Sequence, residues 1–372
     1  MNVLILMPLA TQRGGAEQTL IHLLKYGRKT SFTWHVVFFE KGPMVEWAKQ
    51  WGYNTYVIPA GRLRNFSDWI SAIQRLSQLA EETTASLILS WMSKAHFYGG
   101  PIAKLRNIPS IWYQHGLPLS RRSIDQIITL IPACGIIATS KYSASYQQRL
   151  IPKRPVITVN PGVDLEKFQI QASQSSLRKR FNLPEDAFIV GMVGRLQRWK
   201  GFHLFVEAIA PILRRYPKVH GLLVGGTHDL EPDYPEFLEQ IIHQTGLQKR
   251  IHRVGHQTNV AEWMQTMDIM VHASEQEPFG MVVIEAMALG KPVIASVPGG
   301  PAEVITPGEN GLLWHHNQID ELTQHIEYCL NHPAFMTRLG TEAQKRAQDF
   351  SAEHYAQRIE QAIHQLLREN PC

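Results

Sequence analysis

The 372-residue sequence predicts an α/β fold made of two Rossmann-like halves, each built on a parallel sheet. Three observations predict it. The chain is longer than one ordinary domain. Short apolar runs typical of buried strands alternate with amphipathic helical stretches along the whole sequence. This alternation stops at a polar, proline-bearing stretch near residues 160–186 and then restarts.

The first half begins with a buried strand, VLILM, and a glycine-bearing loop that leads into a helix. Further short apolar runs then predict strands, with helices between them such as the amphipathic stretch at 68–82. The predicted strands of this half lie at 3–7, 34–40, 86–92, 110–115 and 135–140, followed by a strand and turn within 154–168.

The second half repeats the pattern from residue 188. Its predicted strands lie at 188–196, 220–226, 251–256, 268–274, 291–297 and 311–314. We therefore predict an N-terminal domain over 1–165 and a C-terminal domain over 166–351. The last helix, at 352–369, follows the completed second core, and we predict that residues 352–372 pack back on the first domain.

Charge is divided unevenly between the halves. Residues 1–164 hold 18 lysines and arginines against 8 acids, whereas the rest holds 19 against 24. A basic half favours an anionic partner, and the absence of a zinc-finger, RNA-recognition or basic-helix signature argues against nucleic acid. We expect peripheral contact with an anionic membrane through the N-terminal half, at the positions of Trp47, Trp51, Trp69, Arg62 and Arg64. A merely solubilising basic surface is the alternative.

The three cysteines are far apart in sequence, at Cys134, Cys329 and Cys372. They predict neither a zinc site nor a disulfide framework, and they favour a reducing compartment. No apolar stretch reaches the length of a membrane-spanning helix. We therefore expect a cytoplasmic protein, peripheral at the cytoplasmic face of the membrane if it binds lipid.

The motif GRLQRWKG follows the first strand of the second half. Gly194 allows a tight turn, and Arg195 and Lys200 lie five positions apart around it. Two cations at a strand end, beside a helix N-terminus, favour binding of a diphosphate. A solvated basic turn is the alternative reading.

The segment EPFGMVVIE carries two acids, Glu277 and Glu285, eight positions apart. Phe279, Gly280 and Met281 offer unpaired amide N–H groups where the predicted helix begins. A sugar nucleotide needs amides and cations for its phosphates and carboxylates for its hydroxyls. Two surface acids flanking a buried helix would be the simpler explanation, but an acid in so apolar a segment is costly unless a ligand or partner satisfies it.

Together with GGPAEVI at 299–305, NPGVDLEKF at 160–168 and GGAE at 14–17, these motifs resemble the retaining glycosyltransferases of family 4, also called group 1, which have the GT-B fold. The resemblance covers essentially the whole chain. It implies two Rossmann-like domains that face each other across a cleft. The segment VGGTHDLEPDY, at 224–234, departs from the family by being longer and more acidic than the usual glycine loop.

The resemblance also implies roles for individual residues. Arg195 and Lys200 correspond to the pair that holds the donor diphosphate, and Glu285 to the acid that binds the nucleotide ribose. Glu277 corresponds to the catalytic acid beside the donor sugar, where the Phe279, Gly280 and Met281 amides also lie. Gly14 and Gly15 correspond to the loop that closes over the donor phosphates and sugar. His115, in WYQHGLP, corresponds to a second catalytic residue, a histidine that faces that sugar.

The implied activity is retaining transfer of a hexose-type sugar from a nucleotide diphosphate sugar to a glycan or lipid-linked acceptor, in polysaccharide or cell-envelope glycoconjugate synthesis. No metal or other cofactor is expected. Three alternatives remain: a sugar-nucleotide epimerase or phosphorylase of the same fold, a non-catalytic sugar-nucleotide-binding protein, and an NAD(P)-dependent oxidoreductase. The last is disfavoured because the loop after the first strand has no GxGxxG motif.

Overall fold

A computed structural model describes residues 1–12, 14–27, 31–61, 66–118, 124–169, 177–178 and 183–369. The chain divides into two compact units. The first comprises Met1–Gly162 and Ala352–Cys372, and the second comprises Val163–Ser351. The chain therefore passes into the second unit after Gly162 and returns to the first at Ala352.

The first unit is built on a seven-stranded parallel sheet with the order β3-β2-β1-β4-β5-β6-β7. The central strand β4 has all five residues buried, as expected for a strand covered by helices on both faces. The strands are β1 (Asn2–Met7), β2 (Thr33–Phe38), β3 (Asn54–Val57), β4 (Leu87–Trp91), β5 (Ser110–Gln114), β6 (Gly135–Ala138) and β7 (Val156–Thr158).

Six helices of the first unit alternate with these strands, as expected for the crossovers of a doubly wound parallel sheet. They are α1 (Gly15–Tyr26), α2 (Pro43–Gln50), α3 (Phe66–Glu82), α4 (Met92–Arg106), α5 (Ile124–Thr129) and α6 (Lys141–Gln147). The strand order reverses between β1 and β4, so side chains that follow these two strands meet at one crevice.

The second unit has a six-stranded parallel sheet with the order β10-β9-β8-β11-β12-β13. Here the reversal lies between β8 and β11, which pair directly. The strands are β8 (Phe188–Val193), β9 (Val219–Val224), β10 (Ile251–Arg253), β11 (Ile269–His272), β12 (Val293–Val297) and β13 (Leu312–His315). The helices are α7 (Phe202–Arg215), α8 (Tyr234–Thr245), α9 (Val260–Thr266), α10 (Met281–Ala288), α11 (Ile319–Asn331) and α12 (Pro333–Ala347).

The last helix, α13 (Ala352–Glu369), packs in the first unit. Its apolar face buries Tyr355, Ile359 and Ile363 in the same core as Val3 and Leu20, from β1 and α1. These side chains recur at helical spacing, which explains why the helix could be placed from the sequence.

Two parallel sheets covered by helices confirm the predicted α/β fold with two Rossmann-like halves. The sequence interpretation missed β3, an edge strand of which no residue is fully buried. The disulfide expectation was wrong. Cys134 is disulfide-bonded, whereas Cys329 is free and buried. Within the described ranges, no helix is long and apolar enough to cross a membrane.

Candidate active site

The loop after β8 and the loop after β11 are held together at the point where the second sheet reverses its order. Gly201, which ends a short 3₁₀ turn at Arg198–Lys200, has φ +76°. A Cβ at this position would lie 2.1 Å from the carbonyl oxygen of Ala273, so only glycine allows this approach. The amide of Glu275 also donates to the carbonyl of Trp199 at 2.8 Å. These contacts bring Lys200 to the residues that follow β11.

Glu277 is the centre of this arrangement. Its Oε2 atom accepts hydrogen bonds from Lys200 Nζ at 2.6 Å and from the Ser274 hydroxyl at 3.0 Å. His272 Nε2 lies 3.2 Å from the same oxygen. The other oxygen, Oε1, contacts no polar partner among the described residues. One carboxylate oxygen is therefore fixed, and the other can accept from a ligand hydroxyl.

The charge of Glu277 is also fixed by its surroundings. Burial by itself acts to raise the pKa of this carboxyl, but Lys200 and His272 outweigh it and hold the pKa well below its usual range. The Lys200 and Glu277 side chains are only 15% and 12% exposed, so water screens their attraction weakly. Glu277 is thus an ionised acceptor at neutral pH.

Helix α10 begins just after this acid. Gly280, the residue before its first turn, has φ +95° and provides no side-chain cap. Phe279 is buried in the core and anchors the turn, while Met281 is the first helical residue and is partly exposed. Since the first amides of a helix have no partner within the helix, they can bind an anionic or carbonyl oxygen at this position.

Glu285 lies on α10, eight residues after Glu277. Its carboxylate is only partly exposed and makes no hydrogen bond with any described residue. Burial raises the pKa of Glu285 to about 7, although the positive charge of Lys167 acts in the opposite direction. An acid with this environment is poised to ionise when a ligand supplies hydrogen-bond donors.

Arg195 is exposed and makes no side-chain hydrogen bond or ion pair within the described ranges. Its neighbour Arg198 differs, because the acidic loop before α8 holds it. Arg198 binds Asp233 at 2.6 Å and Glu231 at 3.4 Å. Its guanidinium carbon lies 5.4 Å from the ring centre of Tyr234. The long acidic segment therefore ties down the loop that carries Arg195.

In the first unit, Gly14 and Gly15 begin α1 next to the crevice of that sheet. Gly14 has φ −168°, an extended conformation open to any residue. The Trp91 indole N–H, at the end of β4, donates to the carbonyl of Ala16 at 2.8 Å and so fixes the start of this helix. The glycine loop is thereby positioned at the carboxyl ends of β1 and β4.

His115 follows β5 at the same edge of the first sheet. Its ring lies 4.0 Å from that of Tyr113 and 5.3 Å from that of Trp91, measured between ring centres. Burial lowers the pKa of His115 to about 3, so the imidazole is neutral at ordinary pH. Its buried Nε2 has no hydrogen-bond partner within the described part of the chain, which leaves it available to a ligand.

The predicted site residues thus fall into two groups. Lys200 and Glu277 are in direct contact, with Arg195, the start of α10 and Glu285 on the adjoining segments of the second unit. Gly14, Gly15 and His115 share one edge of the first unit. The sequence interpretation missed three residues, of which His272 and Ser274 position Glu277 and Lys167 acts on Glu285. The signal available for the first two was their place at the end of β11.

Among the described residues, no three histidine, cysteine, aspartate or glutamate side chains lie together in a way that could hold a metal ion. Of the residues considered for membrane contact, Trp47 and Trp51 are partly buried and pack on the first core, and Trp69 packs against the neighbouring core. Arg62 and Arg64 lie outside the described residues.

Comparison with known families matches both units. Residues 13–167 match the family described as Glycosyltransferase Family 4, and residues 173–346 match Glycosyl transferases group 1. The chain belongs to the group 1 glycosyltransferases. Both matched ranges contain residues of the candidate site, so the family matches and the geometry indicate the same regions of the chain.

Among curated relatives, the D-inositol 3-phosphate glycosyltransferase of Kribbella flavida is 31% identical over 208 residues, covering 54% of this chain and 49% of the relative. One of the two such enzymes of Catenulispora acidiphila is 32% identical over 234 residues, covering 61% and 54%. The chain spans about half the length of the first relatives it matches.

Among solved structures, the Anabaena protein Alr3699/HepE in complex with UDP and glucose is 27% identical, with a TM-score of 0.85 over 98% of this chain and 100% of that one. A glycosyltransferase of Rickettsia africae gives a TM-score of 0.87 at 18% identity, over 99% and 98% of the two chains, and supports the fold alone. These neighbours identify the two-unit architecture as the GT-B fold.

Proposed function

We propose that this chain is a retaining glycosyltransferase that moves a hexose-type sugar from a nucleoside diphosphate sugar to a hydroxyl of a glycan or lipid-linked acceptor. The donor binds at the carboxyl edge of the second sheet. The proposal includes independence from metal ions, because the positive charge needed by the leaving group is present in protein side chains. Its setting is cell-envelope or polysaccharide synthesis, in the cytoplasm at the membrane face.

The observation that carries the proposal is the contact between Lys200 and Glu277. Lys200 uses one of its three N–H donors on Glu277 Oε2, so two remain for phosphate oxygens. Glu277 keeps Oε1 for a sugar hydroxyl. A cation and an ionised acid that share one hydrogen bond therefore match the junction between a sugar and its diphosphate.

The remaining parts of a nucleotide sugar match the neighbouring groups. Arg195 has a free fork of donors suited to a second phosphate. The amides at the start of α10 suit a phosphate or sugar oxygen. Glu285 suits the two neighbouring hydroxyls of a ribose, since an ionised carboxylate accepts two hydrogen bonds side by side.

In the proposed reaction, the bond between the anomeric carbon and the β-phosphate oxygen breaks, and the acceptor oxygen bonds to that carbon on the same face. The acceptor hydroxyl gives its proton to the departing phosphate oxygen. Lys200, Arg195 and the helix amides stabilise the charge that accumulates on the diphosphate. Because burial keeps His115 neutral, its free Nε2 can serve a ligand of the first unit as a hydrogen-bonding group and not as a cation.

A uridine nucleotide is the first donor to test. The protein HepE was crystallised with UDP and glucose and with UDP-glucose, and it matches this chain over nearly its whole length. We therefore propose a UDP-hexose as the donor. The curated relatives are named for an inositol phosphate acceptor, which makes a polyol phosphate one acceptor to include among the glycans and lipid-linked sugars.

The experiment is calorimetric titration of UDP and UDP-glucose, followed by measurement of UDP released with and without candidate acceptors in the presence of EDTA. We expect Glu277→Gln to retain UDP binding and lose release of UDP from UDP-glucose by about a hundredfold or more. Glu342→Gln, which alters a partly exposed acid paired with Lys345, is the matched control.

Product analysis separates the rival activities. A new glycosidic bond with the anomeric configuration of the donor supports the proposal, whereas an isomerised donor would identify an epimerase. Normal turnover by Glu277→Gln would refute the site, and loss of turnover on removal of metal would refute the metal-independent part.

A further inference from the structure

The most exposed aliphatic side chains of the described first unit include a group around α5. Ile127, Leu130 and Ile151 are 59%, 61% and 69% exposed. The Gln126 side-chain amide donates to the carbonyl of Ile151 at 3.1 Å, so the segment after α6 lies against α5. Three aliphatic side chains therefore project from one region of the surface.

The opposite face of α5 is buried, so the helix that carries the exposed aliphatic side chains is packed in place. Ile128 packs with Trp112 and Ile136 in a small core. The Thr129 hydroxyl accepts a hydrogen bond from the Gln147 side chain at 3.1 Å, which fixes α5 against α6. The exposed aliphatic residues are thus held outward by packing on the opposite side.

Two exposed cations flank Ile151 in sequence, two residues away on either side. Arg149 and Lys153 are exposed, and Arg154 Nη2 donates to the carbonyl of Ile131 at 3.5 Å, just beyond α5. Across residues 107–162 the sequence has six lysines and arginines and one acid, Asp125. That acid is hydrogen-bonded to the Ser93 hydroxyl and is only partly exposed. We call Ile127, Leu130, Ile151, Arg149 and Lys153 the α5 surface.

We propose that the α5 surface docks this chain on an anionic lipid bilayer, with its aliphatic side chains among the acyl chains and its cations at the headgroups. Exposed aliphatic residues with exposed cations close to them in sequence complement both layers of such a membrane. Nucleic acid would use the cations alone, since its backbone offers nothing to bare isoleucine and leucine side chains. The inference assigns a surface to the proposed membrane contact and does not depend on the transfer reaction.

The test is sedimentation of the full chain with vesicles of phosphatidylcholine alone and of phosphatidylcholine mixed with phosphatidylglycerol. Binding is expected only to the mixed vesicles, and it should weaken as salt is raised. Replacing the three aliphatic residues together, by Ile127→Asn, Leu130→Asn and Ile151→Asn, should weaken binding by about tenfold or more. Leu230→Asn is the matched control, since this leucine is 82% exposed and belongs to the second unit.

Each variant is also titrated with UDP, and its thermal unfolding is recorded. Unchanged UDP affinity with lost vesicle binding supports the proposal and keeps it separate from the donor site. If the triple variant unfolds, the single Ile151→Asn variant, whose side chain lies in a connecting segment, provides the measurement. Vesicle binding by the triple variant equal to that of the parent would overturn the proposal. It would also be overturned if only single-stranded RNA and not vesicles bound, or if the triple variant changed the oligomeric state instead.

Discussion

Glu285→Gln provides a prediction with two opposite effects, one on stability and one on donor binding. In the folded chain the pKa of this carboxyl is raised to about 7 from its ordinary value of 4.5. Between these pH values the folded chain keeps a proton that the unfolded chain has released. Stability therefore falls as pH rises from 4.5 through 7 and is constant above that range.

The magnitude follows from the size of the shift. A displacement of about 2.5 pH units at about 1.4 kcal/mol each corresponds to about 3 kcal/mol of stability lost above pH 7. Glutamine has no charge to desolvate, so Glu285→Gln should be more stable than the parent at pH 8 and similar to it at pH 4.5. For a unit of this size, the gain corresponds to a melting temperature higher by about 6–12 °C.

The donor should respond in the opposite direction. Ribose hydroxyls are donors, and the ionised carboxylate is their better acceptor, so binding should release a proton from Glu285 near neutral pH. Affinity for UDP-glucose in the parent should fall as pH decreases from 8 to 6, whereas the variant should bind about tenfold more weakly or worse at pH 8 and show little pH dependence. UDP-glucose is the probe because its diphosphate does not titrate in this range.

The assays are thermal unfolding and calorimetric titration of both proteins at pH 5, 6, 7 and 8. Lys167→Gln is an informative companion, because removal of this cation should raise the pKa of Glu285 further and move the change to higher pH. Parallel pH profiles of stability for the parent and Glu285→Gln would refute the reasoning, as would equal affinity for UDP-glucose at pH 8.

Three further predictions concern the remaining site residues. Lys200→Ala should lower stability by about 3–5 kcal/mol, because it leaves Glu277 buried without its cation, and the double variant with Glu277→Gln should recover part of this loss in chemical denaturation. Arg198→Ala should raise the KM for the donor more than it lowers kcat, with partial rescue by lysine, since it frees the loop next to the phosphate site. Arg253→Ala, which breaks a comparable exposed pair with Glu239, should change neither constant. His115→Ala should lower kcat by a similar factor at every pH between 5 and 9, because the ring is already neutral in this range. A decrease of kcat near pH 6.5 that the parent shows and the variant lacks would contradict this.

The sequence predicted the architecture well because buried parallel strands leave continuous apolar runs. The strands predicted at 86–92 and 268–274 enclose the observed β4 and β11. Strand β3 lacked this signal, since it is a four-residue edge strand with no fully buried side chain. The cysteine interpretation failed because pairing depends on tertiary proximity, which spacing along the chain does not report.

The residues of the candidate site could be proposed from the sequence, but their contacts with one another could not. The meeting of Lys200 and Glu277 depends on the pairing of β8 with β11, which are separated in sequence by β9 and β10. The attachment of Arg198 to Asp233 likewise joins two loops by tertiary structure alone. The roles of His272 and Ser274 depend on which way the end of β11 turns, and neighbouring residues in sequence do not determine this.

The return of α13 to the first unit has a consequence for how the protein is made. The first unit is completed only by residues that follow the whole second unit in sequence, where Tyr355, Ile359 and Ile363 close its core. The second unit is continuous in sequence and can fold once it has been synthesised, whereas the first unit lacks part of its core until these later residues are made. A product truncated after Ser351 would carry an intact second unit attached to a first unit with an uncovered apolar face.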